Sequence, residues 1–321
     1  MLRITERAYL AIFLAAAIAA CCVTYMTIWV SRINECRVSG APNAYLAYCS
    51  QRKFGDYEHG AFYFDLEAGV LAGLKKADVL FVGSSQAQVG FSTEAVRNFF
   101  DQRNVSYYLL GFGYNEGSAF EADLIERFHL RPKVIVIATD YFPSFGLSAP
   151  AKAVTTGNVG TYIEYESKHW AALLSPTVCN AISWACSRNL PSVYRSAIDG
   201  HWIWKTILAP PDAAIPIDPN KRKEPTVSFD TVAAARDFIR RARVENRCVV
   251  ITATQDGWVD WEPLAREIGR RLDLLVVLPE LDGLATFDRS HLNEASAERW
   301  SAAVLGKIGP VLDRCIGRAA D

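Results

Sequence analysis

The chain has 321 residues, 50% of them hydrophobic and 21% charged, with 34 Lys and Arg against 35 Asp and Glu and a mean hydropathy of +0.07. This composition excludes a disordered chain, a collagen-like chain and a small disulfide-stapled fold. A net charge of −1 without a dominant basic block gives no footing for nucleic-acid binding, which needs clustered cations.

The apolar surplus begins at the N-terminus. Ala8 to Val30 runs 23 residues without a charge, and a helix of that length reaches roughly 34 Å, enough for a hydrocarbon core of about 30 Å. Two other readings compete: a cleaved signal peptide, and a lipoprotein signal, because Ile18-Ala19-Ala20-Cys21 has the form of a lipobox. Both expect the run to stop near the cleavage point, and here it continues nine residues past Cys21. The favoured reading is therefore a single-pass anchor over residues 1–30 with the bulk of the chain on the periplasmic or extracellular side. Arg3 and Arg7 precede the run and Arg32 and Arg37 follow it, so charge asymmetry argues only weakly for that orientation.

Residues 31–73 read as a loop-like juxtamembrane segment. From there short apolar runs alternate with amphipathic ones: a strand at Val79 to Val82, a helix from Thr93 to Gln102 with Ser92 as N-cap, and a strand at Tyr107 to Leu110. A helix from Ser118 to Leu130 and a strand from Val134 to Ala138 follow. After an interruption come a helix from Thr231 to Val244, a strand from Val249 to Ala253, a helix from Pro263 to Leu272, a strand from Leu274 to Leu278 and a closing helix from Glu294 to Leu312. Strands rich in Val, Ile and Leu that alternate with helices specify a parallel sheet covered on both faces. The expected fold is an α/β, flavodoxin-like three-layer sandwich on a five-stranded parallel sheet, built from residues 74–140 and 230–321. Ligands in such folds bind beyond the carboxyl ends of the strands.

The interruption, residues 141–229, is too long for a structureless loop and reads as a partly helical insertion subdomain. Its aromatics, among them Trp170, Trp184, Trp202, Trp204, Tyr162 and Tyr165, suit either a platform for sugars or lipid or a small core of their own. Of the eight cysteines, Cys21 and Cys22 lie in the apolar run, Cys36/Cys49 and Cys179/Cys186 form locally spaced pairs, and Cys248 and Cys315 fall on a strand and the last helix. Disulfides at the local pairs would fit an oxidising compartment, and buried free thiols are the other reading. No spacing suggests a metal site, and no cofactor is expected.

Two places carry chemistry. The first strand ends in Gly83-Ser84-Ser85-Gln86, where a hydroxyl at the carboxyl edge of the sheet is exposed beside the next helix's N-terminal amides. Gly-Ser-Ser is also an ordinary turn. Asp288-Arg289-Ser290-His291 lies between the last strand and the last helix, and a carboxylate three residues before a His can fix its tautomer. The order of the two motifs would bring both to the same sheet edge.

VLFVGSSQAQVGFS, then Leu110-Gly111-Phe112-Gly113, Ala138-Thr139-Asp140 and Asp288-Arg289-Ser290-His291, together resemble the SGNH/GDSL hydrolase superfamily. The resemblance spans roughly Ala77 to Asp140 and Thr231 to Leu312, about half the chain. Within the superfamily it is most similar to membrane-anchored proteins that handle acyl groups on bacterial envelope polymers. It implies Ser85 as nucleophile, His291 as base and Asp288 as its orienting acid, with the backbone amides of Ser85 and Gly113 in the oxyanion hole. The usual Gly-Asp-Ser is here Gly83-Ser84-Ser85. Thr139 stands where the family offers an Asn side-chain amide, so either Thr139 or Asn115 is expected to complete the oxyanion hole. The implied activity is a serine esterase or O-acyltransferase acting on acyl, chiefly acetyl, esters of an envelope glycan or a small ester, with a membrane-embedded acyltransferase as a candidate partner. A catalytically silent glycan-binding or scaffolding module is the alternative that the Thr139 departure motivates. A nucleotide-binding reading fares worse, because neither a Walker lysine nor GxGxxG follows the first strand.

Overall fold

The computed structural model describes residues 6–33, 36, 41–49, 57–113, 116–142, 146–181, 190–204, 213–225 and 229–317. In chain order these form α1 (Glu6–Ile33), β1 (Ala44–Cys49), α2 (Tyr57–Tyr63), α3 (Val70–Lys76), β2 (Val79–Val82), α4 (Ser85–Phe91), α5 (Glu94–Arg103), β3 (Tyr107–Leu109), α6 (Ser118–Arg127) and β4 (Val134–Ala138). They continue with α7 (Ala149–Thr155), α8 (Val159–Ala181), β5 (Ser192–Ser196), β6 (Trp202–Ile203), β7 (Ile215–Pro216) and α9 (Phe229–Ala242), and close with β8 (Val249–Thr252), α10 (Glu262–Leu272), β9 (Leu275–Val276), β10 (Ala285–Thr286) and α11 (Glu294–Ile316).

The central sheet has five parallel strands in the order β3-β2-β4-β8-β9. Its inner strands are apolar at every position but Thr252 and buried on both faces, as a sheet sandwiched by helices requires. Alternate side chains divide between two cores. Leu80, Val82, Ile135, Ile137, Val249 and Ile251 pack with Leu124 and Ile125 of α6, Phe238 of α9 and Ile268 of α10. Val79, Phe81, Val134, Val136 and Val250 face Val96 and Phe100 of α5 and Trp300, Val304 and Ile308 of α11. Each fully buried side chain of this size contributes about 1.5–3 kcal/mol. The α/β class and the five-stranded parallel sheet thus agree with the sequence pattern.

Three expectations change. Ser92 does not cap α5: its hydroxyl donates to the Gln88 carbonyl at 2.6 Å and accepts from the Trp202 N–H at 2.8 Å, and Thr93 caps α5 by accepting from the Val96 N–H. The juxtamembrane segment is not loop-like, since it supplies β1 and the buried helix α2. Nor is the insertion self-contained: β5 pairs antiparallel with β1 and also with β6, making a second sheet in which one juxtamembrane strand flanks two inserted ones. The further strand β7 pairs with β10, beside the Asp-x-x-His loop.

Helix α1 carries the apolar stretch Ala8–Thr27, which is long and apolar enough to cross a membrane and is not buried within the protein. Cys36 and Cys49 form a disulfide that ties β1 to the chain just beyond α1. Cys179 is disulfide-bonded as well, and Cys186, its expected partner, lies outside the described residues. A third disulfide, Cys248–Cys315, was not anticipated; it joins the start of β8 to the last turns of α11 across 67 residues. A loop of that length restricts the unfolded chain by about 4 kcal/mol in the chain-entropy treatment. Replacing Cys248 and Cys315 by Ser should therefore lower the melting midpoint of the full chain in detergent by roughly 10 °C. A midpoint that stays unchanged would mean the cross-link leaves stability untouched.

Candidate active site

Ser85 opens α4 directly after β2, at the carboxyl edge of the parallel sheet. Two local features fix its position. A Cβ on Gly83 would lie 2.6 Å from the Ala87 Cβ and 3.0 Å from that of Ala138, so only glycine lets the turn close this tightly. Ser84 then caps the helix, its hydroxyl accepting from the Gln86 N–H at 3.1 Å and donating to the Asp140 carboxylate. Gln86 ties this turn to the opposite loop: its amide donates to Asp256 at 2.8 Å and to the Ser290 hydroxyl at 3.2 Å.

The Asp288–His291 loop folds around one carboxylate. Asp288 Oδ1 accepts from the backbone N–H groups of Ser290 and His291 at 2.9 and 2.7 Å, and Oδ2 lies 2.7 Å from His291 Nδ1. With the Nδ1 proton held there, the Nε2 lone pair is free to accept from the Ser85 hydroxyl, 2.9 Å away. Partial burial raises the Asp288 carboxyl, but the bonds from the His291 ring and the two backbone groups outweigh it and hold the pKa below the usual carboxylate range. The His291 ring also stacks on Phe287, with centroids 5.6 Å apart, and Phe287 stacks on the fully buried Trp204 at 4.8 Å. Through that stack the insertion orients the histidine, a role that no motif in the sequence announces.

A cavity of about 330 Å³ opens onto Ser85, His291 and Asp288. Its apolar wall is built by Val89 of α4, Val193 of β5, Trp202 of β6, Tyr48 of β1 and Phe287. Thus the second sheet, assembled from segments outside the parallel sheet and its helices, supplies Tyr48, Val193 and Trp202 of that apolar wall. Among the described residues no group of three or more His, Cys, Asp or Glu side chains is placed to hold a metal ion.

The residues expected in the oxyanion hole are placed unevenly. Gly113 lines the cavity, but its N–H points to Glu58 Oε1 at 3.5 Å. Thr139 is fully buried and donates to the Thr252 carbonyl at 3.2 Å, away from the cavity, so the structure does not bring it to Ser85. Its neighbour Asp140 reaches the turn that holds Ser85 instead, through Ser84. The chain leaves β4 in a 3₁₀ turn, which breaks the strand alternation that would place one residue or the other at the site. Asn115 lies outside the described residues.

Asp140 gives this site a distinctive pH dependence. Burial pushes its carboxyl up to about 6, against the lowering effect of the Ser84 hydrogen bond, with Asp256 nearby adding to the rise. The folded protein therefore binds this proton more tightly than the unfolded chain. The associated stability is fully present below about pH 4 and is lost as pH rises through the folded-state value. Asp140→Asn keeps an acceptor for Ser84 and removes the titration. Between pH 4.5 and 7.5 the wild type should lose about 2 kcal/mol more stability than this variant, read from denaturant midpoints; equal losses would show that Asp140 does not titrate in that window. No protein-family model, characterised protein or solved structure matches the chain.

Proposed function

We propose that the chain is an SGNH-type serine ester hydrolase or O-acyltransferase that acts on acyl esters, chiefly acetyl esters, of an envelope glycan. The observation that carries this reading is the continuous hydrogen-bonded chain from Ser85 through His291 to Asp288 at the carboxyl edge of the parallel sheet, facing a cavity. Ser85 Oγ bonds to the ester carbonyl carbon while its proton passes to His291 Nε2. Collapse of the tetrahedral intermediate breaks the bond to the alcohol, which takes that proton as it leaves and so yields an acyl-Ser85. Water or a sugar hydroxyl then attacks the acyl carbon, losing its proton to His291, and Ser85 is regenerated when the proton returns. Asp288 stabilises the imidazolium throughout. Disulfides at Cys36–Cys49 and Cys248–Cys315 and an apolar helix ahead of them support placement of the domain outside the cytoplasm, anchored to the membrane.

A second reading, a catalytically silent glycan-binding or scaffolding module, is favoured by the withdrawn Thr139 and by the contact of the Gly113 N–H with a carboxylate. Loss of one oxyanion donor costs about 10²–10³ in rate. Ser85→Ala should abolish labelling by a serine-reactive fluorophosphonate and lower hydrolysis of 4-nitrophenyl acetate by about 10³-fold or more. Activity and labelling that survive in the variant would overturn the assignment of Ser85. Wild-type protein that binds acetylated glycan but never takes the label would establish the silent reading.

A further inference from the structure

One full charge in the cavity has no part in the Ser85–His291–Asp288 chain. Glu58, on the buried helix α2, lines the cavity and is only 3% exposed. A carboxylate so deeply buried needs both charge compensation and hydrogen-bond donors. Arg195 of β5 supplies the charge: it is fully buried, and its Nη2 lies 3.5 Å from Glu58 Oε2, while the same guanidinium donates to the Gly111 carbonyl. The rings of Phe62 and Phe112 surround the guanidinium carbon at 4.9 Å each and hold it in place.

The donors are missing. Oε2 has no hydrogen-bond partner among the described residues, and Oε1 has only the long contact from Gly113. Glu58 is thus neutralised as a charge and left unfilled as an acceptor, beside the nucleophile. An O–H group from an occupant of the cavity would complete it without adding charge. A substrate ammonium would leave an excess positive charge in an apolar enclosure, since Arg195 already balances the carboxylate. Beside it, Trp202 turns an aromatic side chain to the cavity and has a buried indole N–H that lacks an acceptor among the described residues. An aromatic surface next to an acceptor suits the C–H face and the hydroxyls of a sugar ring.

The geometry points to Glu58, held by Arg195, as the specificity-determining residue: it selects esters whose alcohol carries a free hydroxyl near the acyl group, and it does so by accepting that hydroxyl's hydrogen bond. This rests on the ester-processing reading of the Ser85 site. Discrimination of this kind is strong because an analogue without the hydroxyl leaves a buried acceptor unfilled.

The test compares a monoacetylated methyl glucoside whose other hydroxyls are free with the same compound fully O-methylated. Wild-type full-length protein in detergent should favour the free-hydroxyl ester in kcat/KM by roughly 10- to 100-fold, and Glu58→Met, which removes the acceptor, should reduce that ratio to within about 3-fold of unity. The double variant Glu58→Leu/Arg195→Met, which removes both charges together, should lose the discrimination as well and guards against misfolding from a stranded Arg195. An unchanged ratio in both variants, or no preference in the wild type, overturns the inference. If the wild type hydrolyses neither ester, dissociation constants for the two compounds are measured on Ser85→Ala and on Ser85→Ala/Glu58→Met. A binding preference that vanishes with Glu58 would keep the inference while removing the ester-processing reading. A preference that persists without Glu58, or no binding of either compound, would overturn the inference.

Discussion

The parallel pairing of β2 with β4, in register from Val79 opposite Val134 to Val82 opposite Ile137, governs where each reactive group can stand. Strands that run the same way release their following loops at the same edge, so the turn after β2 and the turn after β4 emerge together. Ser84 and Asp140 meet for that reason, one residue from the candidate nucleophile. β8 extends the same rule to Asp256, whose carboxylate gathers the Trp258 and Val259 N–H groups and the Trp261 indole before it accepts from Gln86. Edge convergence thus produces a lattice of hydrogen bonds that the Asp288–His291 loop joins through Ser290.

How much of this was legible depended on the distance over which each feature is decided. VLFV, VIVIA and VVIT announce buried parallel strands because every residue in them but Thr252 is apolar, a property set locally. Ser85 and the Asp288–His291 pair were legible because their spacing is short and they sit at strand exits. β1 was not, because its partner β5 lies about 150 residues along the chain and nothing near Tyr45 or Tyr48 records that pairing. The placement of Glu58 and of Trp204 was not legible for the same reason: each matters only through what the second sheet brings beside it. Thr139 and Asp140 show a finer limit, since two adjacent residues at the end of a strand exchange faces when the chain turns, and composition carries no trace of which one does.

The candidate site is therefore made of two layers of different origin. A conventional α/β edge holds Ser85, Asp288 and His291 within hydrogen-bond reach, while the β1-β5-β6 sheet and α2 enclose them with Tyr48, Glu58, Val193 and Trp202. The first layer carries the hydroxyl, imidazole and carboxylate. The second sets what can approach them. Phe287 joins the two, stacking with both the His291 and the Trp204 rings, so a disturbance of the enclosure is felt at His291 itself.

The Cys36–Cys49 disulfide limits the reach of this enclosure. Three residues of chain from Ile33 to Cys36 extend at most about 11 Å, and the cross-link spans 5.8 Å between Cα atoms. Tyr48, in the cavity wall, is the next residue back from Cys49, so it stays within about 20 Å of the end of α1 however the rest of the chain moves. Whatever surrounds α1, the cavity works on a short leash to that helix and cannot be carried away from its end.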